Sequence, residues 1–79
     1  MVTPEQLKTW IAAGFDADSS ISVDGDGHHF EAVIISQQFE NKSRIQRHQM
    51  VYAILGDKMK AEVHALSMKT MTPAEQQAS

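Results

Sequence analysis

Apolar positions recur along this chain in two periods, and the switches between them predict its elements. Near the start, Leu7, Trp10 and Ile11 repeat at helical spacing. The preceding Thr3-Pro4-Glu5-Gln6 predicts a helix start, with Thr3 as N-cap, proline at the first helical position and acid in the first turn. Gly14 is the expected stop, and residues 16–20 form a polar connection. The period then drops to two, since Ser20-Ile21-Ser22-Val23 alternates as a half-buried strand does. Asp24-Gly25-Asp26-Gly27 predicts a turn, because glycine reaches positive φ at little cost. His28 to Ile35 follows as a longer strand, so the two strands form a hairpin. By parity Phe30, Ala32 and Ile34 share its core face.

Residues 37–42, with Phe39 among them, predict a short turn or helical corner. Ser43 followed three positions on by Gln46 fits a capping box. Ile45, Gln49, Tyr52, Leu55 and Met59 continue as the stripe of an amphipathic helix from Ser43 to Lys60, open to division at Gly56. Val63 to Thr70 returns as a strand, and Thr72-Pro73-Ala74-Glu75 repeats the opening helix-start pattern. The order α-β-β-α-β-α predicts an α+β two-layer sandwich, a three-stranded sheet packed on helices. Residues 1–75 are expected to form a single domain and 76–79 a polar C-terminal tail.

Composition narrows the function. A chain of 79 residues makes one small domain. A domain of that size buries only about 60% of its unfolded surface, which leaves little room for an enclosed catalytic cleft. Seven basic against ten acidic residues, a net charge of −3, provide no general field for phosphate backbones. A local basic patch remains open. The absence of cysteine excludes disulfides, thiolate catalysis and any thiolate metal site made by this chain alone. No apolar run approaches the roughly 20 residues that span a bilayer. Residues 1–5 lack the basic and apolar regions of a signal peptide, so a cytoplasmic location without membrane partners is expected.

Candidate chemistry is sparse. Asp24 and Asp26 raise the idea of paired carboxylates, but turn aspartates beside glycines ordinarily serve local backbone hydrogen bonds. No nucleophile elbow, phosphate loop or His-Glu-x-x-His pattern occurs, and no enzyme is expected. Met50, Met59 and Met68 fall on periodic elements and are expected as core filling rather than a soft interaction surface. Lys42, Arg44, Arg47 and His48 cluster around a helix start, where the dipole favours phosphate. The Gly-x-x-Gly loop with which KH domains grip a nucleic-acid backbone is missing from this region. His48 itself is expected as a helix-surface or packing residue, with a basic or partner surface as the alternative.

Five segments together resemble the BolA family. They are Gly25-Asp26-Gly27-His28-His29-Phe30, Phe39-Glu40-Asn41-Lys42-Ser43-Arg44, Arg47-His48-Gln49-Met50-Val51-Tyr52, Val63-His64-Ala65-Leu66 and Thr72-Pro73-Ala74-Glu75. No one of these motifs is specific, but five in the right order are. The match runs from residue 20 to 75, with Asn41 where the family commonly has glycine. The short hairpin loop and the Thr-Pro-Ala-Glu segment resemble the IbaG-like branch.

The resemblance implies a fold similar to class II KH domains. It also implies a non-enzymatic partner of monothiol glutaredoxins that shares a 2Fe–2S cluster, in iron–sulfur trafficking or stress response. Such a cluster needs four ligands, so a partner cysteine and glutathione would bring thiolates and this chain imidazole. The resemblance places His64 as the C-terminal ligand, against a semi-buried strand histidine sharing parity with Leu66 and Met68. Relatives with a longer loop carry a second ligand where Gly25 to Gly27 stand, which leaves His28 or His29 as substitutes. Adjacent strand residues face opposite sides, so at most one of the two is expected to face His64 if both lie in the strand, with His29 favoured by the His-Phe match; two solvated turn histidines are the alternative. Arg47, His48 and His64 are the expected partner contacts. No cluster is expected in the isolated chain, which is expected to be a monomer or weak dimer. The alternative is a KH-like nucleic-acid-binding transcriptional regulator, contacting DNA through Lys42, Arg44 and Arg47.

Overall fold

A computed structural model describes residues 2–78, with Val63 described by its backbone alone. Met1 and Ser79, which begin the expected domain and end the expected tail, lie outside the described residues. Six main elements follow one another: α1 (Pro4–Ala12), β1 (Ser20–Gly25), β2 (Phe30–Ile35), α2 (Arg44–Leu55), β3 (Leu66–Met71) and α3 (Pro73–Ala78). Short 3-10 turns cover Gln37–Phe39, Gly56–Met59 and Val63–Ala65. The α-β-β-α-β-α order is therefore the one expected. Helix α3 runs on through Ala78, into the stretch expected as a polar tail.

Capping chemistry starts the helices. The Thr3 hydroxyl accepts from the Gln6 N–H while the Gln6 side chain accepts from the Thr3 N–H, a reciprocal cap that satisfies two otherwise open donors. Ser43 and Gln46 do the same for α2. Helix α2 stops at Leu55 and a 3-10 turn follows over Gly56–Met59, so the stretch expected to reach Lys60 is divided at Gly56. Gly56 follows at φ 54°, a backbone conformation that glycine adopts without strain.

The sheet has the order β1-β2-β3. Strands β1 and β2 pair antiparallel, from Ser20 with Ile35 to Gly25 with Phe30. Strands β2 and β3 pair parallel, from Phe30 with Leu66 to Ile35 with Met71. A parallel pair needs a long crossover, and the stretch holding α2 supplies it. Phe30, Ala32 and Ile34 are buried on one face, as parity requires. They meet Leu7 and Ile11 of α1, Val51 and Leu55 of α2, and Phe15, Phe39 and Met59 from the connections. The rings of Phe15 and Phe39 pack edge to face with centroids 5.4 Å apart.

The stripe expected on α2 is rotated. Ile45 is 70% exposed and Tyr52 39% exposed, while Val51 and Leu55 are buried and Arg47 and His48 are half-buried. Arg47 occupies an inward position because the fold supplies it with partners, described below. Among the described residues, no helix is long and apolar enough to cross a membrane.

Candidate functional site

The loop between β1 and β2 holds Asp26-Gly27-His28-His29, and side-chain chemistry shapes it. Oδ1 of Asp26 accepts from the backbone N–H of His28 at 2.8 Å and of His29 at 2.9 Å. The Asp26 N–H in turn donates to the His29 carbonyl at 3.2 Å. Gly27 turns the chain at φ 90°. At Gly25 a Cβ would lie 2.5 Å from the His29 carbonyl oxygen and 2.8 Å from Cδ1 of Phe30, so glycine is required there by close approach. The N–H groups of His29 and His28 hold the Asp26 carboxyl below its usual range, since they favour the charged form. The reading of this aspartate as a maker of local backbone hydrogen bonds holds.

Strand β2 begins at Phe30, so His28 and His29 both lie in the loop and both are exposed. This corrects the expected strand start at His28. The alternation argument that set the two rings on opposite sides does not apply to them, because neither residue is in the pleat.

His64 is displaced in the same way. Strand β3 begins at Leu66, and His64 sits in the middle of the 3-10 turn Val63–Ala65. That turn is tied by the Ala65 N–H to the Glu62 carbonyl at 2.8 Å, and the Glu62 N–H reaches the Met59 carbonyl at 3.0 Å. Leu66 and Met59, both buried, anchor the segment on either side. The turn takes His64 out of parity with Leu66 and Met68, and its side chain is exposed rather than semi-buried.

Because Phe30 pairs with Leu66 in parallel, β2 and β3 start side by side. The loop that carries His28 and His29 and the turn that carries His64 therefore lie at one end of the sheet. Among the described residues, none of the three rings is tied by a hydrogen bond or ion pair, and no group of three His, Cys, Asp or Glu is arranged to hold a metal ion. Their chemistry is that of exposed imidazole donors able to complete a coordination sphere supplied mainly from elsewhere, the use to which imidazole is put at iron–sulfur centres with mixed ligands.

The basic cluster divides. Lys42 and Arg44 are exposed at the start of α2. Arg47 is turned inward: Nε donates to the Lys42 carbonyl, Nη1 to the Thr70 carbonyl and to Oε1 of Glu75, and Nη2 to Oε2 of Glu75. Its guanidinium also lies 5.7 Å from the centre of the Phe39 ring. Its side chain is 11% exposed, so the cation expected to meet a partner or DNA is engaged within the fold. Glu75 receives more than Arg47, since its Oε1 also accepts from the Thr72 N–H while the Thr72 hydroxyl accepts from the Glu75 N–H. This brace between α2, β3 and α3 went unseen in the sequence, where the Thr-Pro-Ala-Glu pattern signals only a helix start. Arg47 and Glu75 stand 28 positions apart, beyond the reach of any local pattern.

His48 is half-buried on the inward side of α2, and its Nε2 is buried without a hydrogen-bond partner. Burial, and then the neighbouring Arg44, push its pKa down. The packing role weighed for it from the sequence is the one this placement matches.

The family described as BolA-like protein matches residues 12–75 of the chain. The chain is 39% identical over 51 residues to the DNA-binding transcriptional regulator BolA of Haemophilus influenzae, a match covering 65% of this chain and 50% of that protein. The match thus spans about half the length of that relative. The acid stress protein IbaG of Escherichia coli is 38% identical over 56 residues, covering 70% of this chain and 67% of that one. The solved structure of a bolA protein homologue from Coxiella burnetii superposes with a TM-score of 0.83 at 46% identity, covering 98% of this chain and 99% of that one.

Proposed function

This chain belongs to the BolA family, and from that premise we propose that it is a non-enzymatic adaptor that docks on a monothiol glutaredoxin and lends imidazole to a shared 2Fe–2S cluster. The observation that carries the reading is the exposed ring of His64 on a turn anchored by Leu66, at the sheet end that also bears His28 and His29. A ring sealed inside the hydrophobic layer would have no route to a partner's metal. His64 has that route.

The donor set agrees with the chemistry. The chain has no cysteine, so the thiolates would have to come from the glutaredoxin and from glutathione, and His64 is the residue of this chain that would supply imidazole to the cluster. Imidazole in place of thiolate raises the potential of such a centre. The residues of this chain bind and orient: the 3-10 turn presents His64, the Asp26 loop presents His28 and His29, and the Arg47–Glu75 brace holds α2 and α3 against β3, the strand that His64 precedes.

The test mixes the purified chain with a cluster-loaded monothiol glutaredoxin and records visible absorption and circular dichroism. His64→Ala should change the bands of the mixed complex. His28→Ala and His29→Ala, made separately, identify which loop imidazole the mixed complex uses, His29 being the one the His-Phe match favours. Wild-type bands from the His64 variant would remove the ligand assignment.

A second reading, contact with nucleic acid, takes support from the name of the H. influenzae relative and from the exposure of Lys42 and Arg44 at the α2 start. The His64→Ala variant separates the two readings, because it leaves both cations in place.

A further inference from the structure

We infer that Asp26 is a positioning residue, which sets the backbone of His28 and His29 so that their rings are presented beside the His64 turn; this rests on the adaptor reading above. The sequence around it is permissive. Gly25 and Gly27 flank Asp26, and glycine-rich chain samples more backbone states than any other. Left to itself, a Gly-Asp-Gly-His-His loop would scatter its two imidazoles over many directions, and a partner would have to select one.

The structure restricts the backbone part of that freedom with a single oxygen. Oδ1 of Asp26 takes the N–H groups of both histidines, at 2.8 Å and 2.9 Å, and the Asp26 N–H closes the ring on the His29 carbonyl. Each histidine therefore has its backbone tied to the same side chain while its own ring stays exposed. Gly25 fits beneath, where a Cβ would collide with the His29 carbonyl. The loop also sits directly before Phe30, which is buried and paired with Leu66, so its end is held to the strand that follows His64. A group that orients a metal ligand without touching the metal commonly changes affinity by about tenfold to a hundredfold when removed. Preorganisation works by lowering the ordering cost at the moment of association.

Two variants separate positioning from charge. Asp26→Ala removes the acceptor, whereas Asp26→Asn keeps an Oδ1 that can take both N–H groups. Amide hydrogen exchange of His28 and His29 in the free protein reads the loop directly. Titration of cluster-loaded monothiol glutaredoxin, followed by visible circular dichroism, reads half-saturation of the mixed complex. For Asp26→Ala we expect faster exchange at both amides and half-saturation at about tenfold higher concentration. The bands at saturation should match those of the wild type. Asp26→Asn should stay within about twofold of the wild type in both readouts, and far-ultraviolet circular dichroism should show both variants folded. Wild-type exchange and half-saturation in Asp26→Ala would overturn the inference, as would an Asn variant as impaired as the Ala variant. If Asp26→Ala is silent while His64→Ala alters the bands, the positioning role fails and the adaptor reading stands. If His64→Ala leaves the bands unchanged, the adaptor reading fails and takes the positioning role with it.

Discussion

Arg47 shows how much one residue can carry inside a thin fold. Its guanidinium engages carbonyls on two segments and both carboxylate oxygens of Glu75, so one planar cation joins α2, the end of β3 and α3. A planar fork facing a carboxylate is the geometry for which arginine, rather than lysine, is suited. Foremost the Arg47 hydrogen bonds, and then the Thr72 N–H, hold the Glu75 carboxyl down at about 2 against a usual 4.5. A carboxyl with its folded pKa depressed adds stability that is complete above its unfolded value and lost as pH falls through the folded one. The Glu75 contribution is thus present above about pH 4.5 and disappears towards pH 2. Glu75→Gln should lower the melting temperature at pH 7 and flatten the decline of melting temperature between those two pH values; a melting scan against pH checks it. His48 acts in a separate window. Its folded pKa is depressed by burial, so the unfolded chain takes up its proton first and stability falls as pH drops below about 6.5.

At the scale of elements, α2 departs most from its sequence pattern. Ile45 and Tyr52 look like core positions and face solvent, whereas Arg47 and His48 look like surface positions and turn inward. Periodicity weighs apolar character alone, and here the inward polar residue finds its partners in β3 and α3, far along the chain. The true apolar contribution of the helix is Val51 and Leu55, with Ile54 and Met50 beside them. Leu55→Ala should therefore cost about 2–5 kcal/mol, the range for emptying a buried aliphatic site. Ile45→Ser should stay within about 0.5 kcal/mol, as surface changes do. Urea unfolding of the two variants measures both, and equal losses would contradict the orientation of the helix. The core face of β2 was easier to read than the strand starts. Alternation in β2 placed Phe30, Ala32 and Ile34 correctly, because a pleat allows only two sides.

For the whole molecule, the mixed sheet decides where chemistry can gather. Parallel pairing of β2 with β3 brings residues separated by more than thirty positions to one end, which antiparallel pairing would have sent to opposite ends. The resulting imidazole edge has no thiolate with it, since the chain has no cysteine. Partner dependence follows from the proposed function. The purified chain given ferric iron and sulfide alone, in the oxidation states of the diferric centre, should develop no 2Fe–2S absorption. Addition of a monothiol glutaredoxin with glutathione should bring the bands up together with a complex of the two proteins on size exclusion. A stable cluster in the chain alone would defeat the sharing scheme.

Sequence by itself determined the order of elements, the N-cap at Thr3 and the capping box at Ser43, the core face of β2 and the absence of thiol ligands, all of which are local or compositional. It also held the five motifs by which the family was legible. Tertiary structure alone decided that His64 stands on a turn and not in a strand, that His28 and His29 share a loop tied to Asp26, and that Arg47 belongs to Glu75. The physical reason is range. A cap or a pleat is settled by residues within about four positions, whereas the start of a strand, the turn of a helix about its axis and the partner of a buried cation are settled by whatever the rest of the chain packs against them.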